Sequence, residues 1–407
     1  MTQVSKSAFS QARQGLSETA FVELNQYVVG AFYRNYSDLW TWNGLRLCAI
    51  DGSRLRLPTT SDIVEHFGVH HSRPPNIDCP MALASVFYDV FNGIVIDAQL
   101  DRSNASERAC ALAHLRHARC DDLVLYDRGY DTFWLYAYHV HKRIPFCLRV
   151  PVGRDSVARA FVASGKRQAV LQYTPSPKAA TRCAELGLPT TPLRLRAVRV
   201  NLPGETEVLL TNLLDEQAFP VAQFKALYHQ RWAIEEHYKR LKLWIEIENV
   251  SGQTALAVRQ DFHARILATN LTALLVLAAQ DRVDERTVHC HRRYKINFAH
   301  AISKTKHRLV ALLIALHREF GTQLDRLIDY LARSTEAIRP DRAFPRRNTK
   351  MRRNPHRAAY KTAILFKWLV INLTVLGSDI SIWPMMSRNW RARRARQRWV
   401  EVAFVWL

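Results

Sequence analysis

The stretch Asp122-Leu-Val-Leu-Tyr-Asp-Arg-Gly-Tyr130 places a carboxylate, Asp127, directly after a short apolar strand. Outward from this strand, a helix is predicted over residues 104–119 before it, and a helix (131–142) and a strand (145–150) after it. Three earlier strands are also predicted, the last two joined by a turn that contains Asn-Gly: residues 45–57, 81–90 and 94–100. Three strands followed by alternating helices and strands predict a mixed sheet with helices on its faces.

The pattern changes on both sides of this core. Short strands separated by turns predict a β-rich insertion: 156–163, 168–173, 193–200 and 207–213. The predicted fold class is therefore α/β, an RNase H-like mixed sheet with flanking helices, interrupted by a β-rich insertion, plus helical N- and C-terminal regions. The predicted domains are a helical N-terminal region, the first part of the core, the insertion, the second part of the core, and a basic helical C-terminal region with a tail: residues 1–43, 44–150, 151–216, 217–282 and 283–407.

A second stretch, Tyr228-His-Gln-Arg-Trp-Ala-Ile-Glu-Glu-His-Tyr-Lys-Arg-Leu-Lys242, has no Gly or Pro and predicts a single helix. At about 100° per residue, four polar residues would share about 60° of arc: Tyr228, Arg231, Glu235 and Lys242. A separate apolar stripe is predicted to be buried: Leu227, Ile234 and Leu241. The polar face suits a metal ion held against a phosphate. The alternative is a solvated helix face with ordinary i, i+3 and i, i+4 pairs.

Charge predicts the class of partner. The chain has 407 residues, a formal net charge of +22 and 48% hydrophobic residues, which is enough for a folded core. A chain this basic is expected to bind a polyanion, and nucleic acid is the commonest one. An anionic membrane surface is less favoured, because no strongly amphipathic basic helix stands out. Residues 388–399 combine Arg with Trp, which fits nucleic-acid contact or a solvated tail.

Cysteines and apolar runs indicate in which cellular compartment the protein is expected. Seven Cys without a C-x-x-C pair predict reduced thiols in a cytosolic protein. Three adjacent residues, His289-Cys290-His291, cannot easily face one ion, which disfavours a zinc site. The apolar runs 268–279 and 364–377 are short for a bilayer, and we expect neither a signal peptide nor membrane binding. A glycine loop for nucleotides is absent from the sequence.

The carboxylates predict the chemistry. Asp51 interrupts the apolar strand Leu47-Cys-Ala-Ile-Asp51-Gly-Ser, where a charge is costly unless it is paired or bound to a cation. Asp127 closes its strand, and sites gather at strand ends in α/β sheets. With Glu235, three carboxylates could hold two divalent cations, and hard oxygen ligands favour Mg²⁺ or Mn²⁺. A two-metal site carries out phosphoryl displacement. Each aspartate alone also fits a turn, strand-end or cap residue.

These residues together resemble a known family. Asp51-Gly-Ser, Asp127-Arg-Gly-Tyr and the spacing Tyr228-x2-Arg231-x3-Glu235-x6-Lys242 look like the DDE transposases of the IS-four insertion-sequence family. The Tyr-Arg-Glu-Lys spacing is that family's signature, and the insertion before Glu235 matches too. The opening Phe9-Ser-Gln-Ala-Arg-Gln is also similar. The resemblance covers residues 5–280 well and the C-terminal third weakly.

The resemblance implies roles for individual residues. Asp51, Asp127 and Glu235 would be the catalytic, metal-binding triad, holding two ions of Mg²⁺ or Mn²⁺. It also implies DNA contacts for four residues: Tyr228, Arg231, Lys242 and Arg149. In relatives, a Trp of the insertion can steady a flipped base during hairpin chemistry. Residues 151–216 contain no Trp, so the hairpin step is open.

The implied reaction is cut-and-paste transposition of a bacterial insertion sequence. Water cleaves the phosphodiester at an element end, and the freed 3′-OH attacks the other strand or target DNA, without a high-energy cofactor. The implied partners are the terminal inverted repeats, target DNA and a second copy of the chain, with end recognition by the helices before Asn43. The implied location is the cytoplasm, at the nucleoid. The residues alone also allow an RNase H-like DNA nuclease or an inactive DNA-binding relic of a transposase.

Overall fold

A computed structural model describes residues 11–36, 39–71, 78–153, 155–202, 205–314 and 320–339. It contains two compact units. The sheet unit is Asp38–Arg54 with Leu83–Tyr238, and the helical unit is the described part of Met1–Ser37, Leu55–Ala82 and Lys239–Leu407. The five-part domain division made from the sequence stays a prediction.

The described residues form the following elements. The strands are β1 (Arg46–Arg56), β2 (Val69–His70), β3 (Cys79–Asp89), β4 (Ile94–Arg102), β5 (Asp122–Tyr126), β6 (Phe146–Val150), β7 (Gln168–Tyr173), β8 (Leu193–Leu202), β9 (Glu205–Thr211), β10 (Tyr294–Ile296) and β11 (Thr335–Ala337). The helices are α1 (Thr19–Asn35), α2 (Ser61–Phe67), α3 (Glu107–His114), α4 (Phe133–Lys142), α5 (Ser156–Ala163), α6 (Pro177–Glu185), α7 (Val221–His229), α8 (Trp232–Leu243), α9 (Ala255–Thr287), α10 (Phe298–Ile314) and α11 (Phe320–Leu331). Two 3₁₀ turns follow α3 and β5, at Leu115–His117 and Arg128–Tyr130.

The sheet has the strand order β2-β3-β1-β5-β6-β9-β8-β7, and β4 also pairs with β3. Strands β1, β5 and β6 run parallel to one another, whereas β9, β8 and β7 continue the sheet in antiparallel fashion. All five residues of β5 are buried, as expected for a central parallel strand covered on both faces. The predicted mixed α/β sheet with flanking helices is confirmed, and the strands of the insertion extend the same sheet.

The helical unit is organised around α9, a helix of 33 residues. Two of its buried polar side chains are paired inside the unit: Asp261 pairs with Arg13 at 2.6 Å, and Asn270 donates a hydrogen bond to Asn25 on α1 at 2.7 Å. In the described residues, α9 is the single helix long and apolar enough to cross a membrane, but 78% of its most apolar window is buried. It packs as a core helix does.

Two sequence predictions are wrong. Residues 156–163, predicted as a strand, form α5, because Asp155 caps the helix by accepting hydrogen bonds from Val157 N and Ala158 N at 2.8 and 2.9 Å. The single helix predicted from Tyr228 to Lys242 is two helices, α7 and α8, with a break at residues 230–231. The basic tail (388–399), the apolar run 364–377 and Phe9 lie outside the described residues.

Candidate active site

The two aspartates lie side by side because of the register of β1 and β5. These parallel strands pair Ala49 with Leu125. Asp51 and Asp127 each follow two residues later, so the same offset carries both just past the end of the paired segment, Asp51 within β1 and Asp127 directly after β5. Parallel strands lie about 4.8 Å apart, which brings the two side chains within electrostatic range. The sheet unit therefore places two carboxylates side by side on neighbouring interior strands.

Asp51 is held in a poorly solvated position. Its side chain is 20% exposed, and Oδ1 accepts a hydrogen bond from Gly52 N at 2.9 Å. Burial raises the pKa of Asp51 to about 7, and the charges of Asp127 and Glu107 add to this rise. The Gly52 hydrogen bond and Arg231 act in the opposite direction. With Arg231 as its neighbouring cation, the Asp51 carboxyl group is about half protonated near neutral pH.

Asp127 begins the 3₁₀ turn after β5. Its Oδ1 accepts a hydrogen bond from Gly129 N at 2.7 Å. A Cβ on Gly129 would lie 2.9 Å from that same oxygen, so the turn needs glycine for close approach of the carboxylate. The Asp-Arg-Gly sequence thus fixes the Asp127 side chain at the carboxyl end of β5.

Arg231 joins the third carboxylate to the first. Its Nη2 lies 2.7 Å from Glu235 Oε1 and its Nη1 lies 4.0 Å from Asp51 Oδ2. At this point the backbone hydrogen bonds run to the third preceding carbonyl, from Arg231 N to Tyr228 O and from Ala233 N to Gln230 O. The tightened segment separates α7 from α8 and sets Arg231 between the two carboxylates.

Two tyrosines anchor α7 and α8 to the strands that carry the aspartates. The Tyr228 hydroxyl donates to Tyr126 O at 3.1 Å, next to Asp127. Tyr238, one turn after Glu235, is buried, and its hydroxyl lies 2.9 Å from Asp51 O and 3.1 Å from Ala84 O. Helices α7 and α8, which flank Arg231, are therefore tied to both strands by hydrogen bonds to backbone carbonyl oxygens.

The other predicted DNA contacts lie outside this cluster of carboxylates. Arg149 on β6 is paired on both nitrogens, with Glu205 at 2.6 Å and Glu207 at 2.7 Å. Lys242 belongs to the helical unit, and its Nζ lies 4.0 Å from Glu248 Oε1. Burial lowers the pKa of Lys242. Tyr228, Arg231 and Arg149 share the lining of a groove of about 540 Å³ in the sheet unit.

The donor set fits a divalent cation in chemistry. All the acids of the cluster offer carboxylate oxygens, which Mg²⁺ and Mn²⁺ prefer. As the side chains stand, no three acids, imidazoles or thiols in the described part of the chain could together hold one metal ion. The guanidinium of Arg231 instead stands as the positive charge beside Asp51 and Glu235. The positive charge beside these two carboxylates is therefore a protein side chain, that of Arg231.

Sequence reasoning missed Glu107 and Tyr238. Glu107, the first residue of α3, lies against Gly52, where a Cβ would come within 3.0 Å of Glu107 Cγ. In the sequence it is only an acid in the first turn of a helix. Tyr238 is three residues after Glu235, a helical neighbour that spacing could have pointed out.

Comparison with known proteins points to one family. A family model described as a transposase DDE domain matches residues 42–271. The transposase InsG for insertion sequence element IS4 of Escherichia coli (strain K12) is 27% identical over 290 residues, 66% of this chain and 60% of InsG. The protein y4zB of Sinorhizobium fredii (strain NBRC 101917 / NGR234) is 28% identical over 52% of this chain and 53% of its own length.

The chain spans about three fifths of InsG and about half of y4zB. Among solved structures, the piggyBac transposase synaptic complex with hairpin DNA aligns with a TM-score of 0.39 and 9% identity, over 70% of this chain and 57% of that one. The family match covers more than half of the chain and includes Asp51, Asp127 and Glu235. The chain belongs to the transposase DDE domain family.

Proposed function

We propose that this chain is a DNA transposase of a bacterial insertion sequence, which cuts the ends of its element and joins them to target DNA. Asp51, Asp127 and Glu235 are its catalytic carboxylates. One observation carries the proposal: the register of β1 and β5 aligns the two aspartates, and Arg231 links Glu235 to the same cluster. Family membership supports the same assignment.

The three carboxylates would hold two ions of Mg²⁺ or Mn²⁺. When bound, such ions polarise the attacking and leaving oxygens of a phosphodiester. Hydrolysis forms a bond from water oxygen to phosphorus and breaks the bond to the 3′ oxygen, leaving a 3′-OH and a 5′-phosphate. That 3′-OH then exchanges one phosphodiester bond for another in strand transfer, so no energy source is consumed.

The residues around the carboxylates would hold the DNA backbone. Arg231 offers a fork of donors suited to a phosphate, and the groove beside it is lined by further cationic side chains, Arg149 and Lys225. For Arg149 to contact DNA, its pairs with Glu205 and Glu207 must open. The Tyr228 hydroxyl, which donates to Tyr126 O in the structure, would contact a DNA phosphate. Lys242, near the end of α8, would contact another phosphate of the DNA backbone.

The oligomeric state, the DNA partners and the cellular location that we propose follow from transposition as the reaction. Pairing two element ends requires two active sites, so we infer a homodimer in the complex with DNA. The net charge of +22 supports binding to inverted repeats and target DNA in the cytoplasm, at the nucleoid. The insertion, residues 151–216, has no Trp, so a hairpin intermediate would need a Trp from elsewhere or another aromatic residue in its place.

The test uses the full chain and duplex DNA carrying the inverted repeats that flank its gene. Wild type and Glu235→Gln are incubated with Mg²⁺ or Mn²⁺, and strand breaks are mapped on a sequencing gel. We expect breaks at the element ends, reduced on the order of 10³-fold in the variant. Glu236→Gln, the neighbouring acid, is the matched control and should cleave as wild type does.

Each other result has a distinct meaning. Breaks spread over unrelated DNA would favour a nuclease on the same core. Binding of the ends without cleavage, in the presence of either metal, would favour a DNA-binding relic. Equal cleavage by wild type and Glu235→Gln would remove Glu235 from the triad.

A further inference from the structure

A fourth carboxylate, that of Glu107, lies against the strand that carries Asp51. A Cβ built on Gly52 would lie 3.0 Å from Glu107 Cγ, 3.1 Å from Cδ and 3.3 Å from Oε1. Real Cβ atoms are rarely found in contacts this short. The Glu107 carboxyl group therefore fits beside Asp51 because residue 52 has no side chain.

An ordinary reason exists for an acid at this position. Glu107 begins α3 directly after the N-cap Ser106, and acids in a first turn complement the helix dipole. That reason explains the residue type but not its placement over Gly52. Arg108 Nε donates to Gly129 O at 2.8 Å, so the first turn of α3 is joined to the turn that carries Asp127. Glu107 is thereby held between the segments that bear the two aspartates.

A buried hydroxyl next to these acids is unpartnered. Tyr130 has no exposed surface, and its hydroxyl makes no hydrogen bond to any described residue. Burial raises the pKa of Tyr130, and the charges of Asp51, Glu107 and Asp127 raise it further, so its hydroxyl lies within electrostatic reach of all three carboxylates. A buried hydroxyl usually donates a hydrogen bond to an acceptor. Near this one, Asp51 and Asp127 accept hydrogen bonds from Gly52 N and Gly129 N instead.

We propose that Glu107 is a fourth carboxylate of the divalent-cation site and that the Tyr130 hydroxyl donates a hydrogen bond to the carboxylate cluster when a cation is bound. The inference rests on the proposed function, because it adds residues to the same site. Charge supports it: with two divalent cations and Arg231, the triad leaves two positive charges in excess, and a fourth carboxylate reduces the excess to one. Arg231 supplies only one positive charge to the cluster in the structure.

The test measures Mn²⁺ binding by the full chain without DNA, from the electron paramagnetic resonance signal of free Mn²⁺. Glu107→Gln should weaken binding about tenfold or remove one of two ions, and Tyr130→Phe should weaken it less. Glu107→Asp keeps the charge and helix position but shortens the reach, so it should bind Mn²⁺ more weakly than wild type. The exposed Asp121→Asn serves as the matched control and should bind normally.

Three outcomes overturn parts of the assignment separately. Wild-type Mn²⁺ affinity in Glu107→Gln, with loss in Asp51→Asn, would overturn the inference and leave the proposed function standing. Normal affinity in Glu107→Asp with normal thermal unfolding would assign Glu107 to the helix dipole alone. Failure of wild type itself to bind Mn²⁺ would overturn both the inference and the metal chemistry of the proposed function.

Discussion

The two ends of the β1–β5 strand pair differ in how their charges are balanced. At the amino end, Arg46 and Asp122 are opposite each other in register and form a buried bidentate pair, Nε–Oδ1 2.6 Å and Nη2–Oδ2 2.7 Å. At the carboxyl end, the same register aligns two carboxylates, Asp51 and Asp127. There a single guanidinium, 4.0 Å from Asp51, offsets the charge.

The difference indicates that the charges at the amino end of the strand pair stabilise the fold, whereas those at the carboxyl end remain able to bind a cation. The pair at the amino end is complete, since Asp122 Oδ2 also accepts from Arg119 N at 2.8 Å. The carboxyl end has excess negative charge, and burial raises the pKa of Asp51 to about 7. An incomplete charge balance at strand ends costs stability and leaves the site able to bind a cation.

The largest effect should come from breaking the complete end. Asp122→Ala leaves Arg46 buried without its partner, so we expect the free energy of unfolding to fall by about 3–5 kcal/mol in urea titrations. The double variant Arg46→Met with Asp122→Leu removes both charges and should recover most of that loss. A drop below about 1 kcal/mol in the single variant would show that the pair contributes little.

The incomplete end should respond in the opposite direction. Because the folded pKa of Asp51 is raised from 3.8 to about 7, the folded state binds more protons than the unfolded state between these values. Stability from this group is therefore present below about pH 4 and lost as the pH rises to about 7. Asp51→Asn should stabilise the metal-free protein by about 2 kcal/mol at pH 7.5, and hardly at all at pH 4.

Asp97 provides the control for that prediction. It pairs with His114 at 2.7 Å, and its pKa is lowered to about 2 despite burial. Its stabilisation is present above about pH 4 and lost as the pH falls towards 2, so Asp97→Asn should destabilise the protein at pH 7.5. Guanidinium titrations across pH would check both. Equal pH profiles for the two variants would contradict the assignment of Asp51 as the uncompensated carboxylate.

The sequence predicted strands β1 and β5 and the apolar stripe of the helical segment because their signals are local. Alternation and apolar runs located β1 and β5, and helical spacing located the apolar stripe. Its members are at most 1% exposed: Leu227, Ile234 and Leu241. A carboxylate inside an apolar strand makes Asp51 a candidate site residue, although Asp-Gly alone also fits a turn.

The missed features depend on tertiary contacts. The break at residues 230–231 has no Gly or Pro, and the Tyr228–Tyr126 hydrogen bond joins residues 102 positions apart. Glu107 lies against the strand of Asp51 only because the fold brings α3 over Gly52. By contrast, α5 had a local signal that was overlooked, since Asp155 is an N-cap residue preceding Ser156-Val-Ala.

A smaller effect should come from crowding Asp127. Gly129→Ala would place a Cβ 2.9 Å from Asp127 Oδ1, so the carboxylate must move or the turn must open. We expect a loss of about 1–2 kcal/mol in unfolding free energy and a clear loss of DNA cleavage. Gly153→Ala is the control, since nothing lies within 4 Å of its Cβ. Full cleavage by Gly129→Ala would mean that Asp127 tolerates displacement.

The smallest stability change should come from Tyr238→Phe, which keeps the ring and removes one hydroxyl. That hydroxyl lies 2.9 Å from Asp51 O and 3.1 Å from Ala84 O, so its loss should cost about 1 kcal/mol in urea titrations. Tyr173→Phe loses a comparable bond, to Asp155 Oδ2 at 3.2 Å. Because Tyr238 fixes α8 against β1 beside Asp51, its variant should also cleave DNA more slowly, whereas Tyr173→Phe should lose stability alone. Equal cleavage rates in the two variants would mean that α8 keeps Glu235 in place without this anchor.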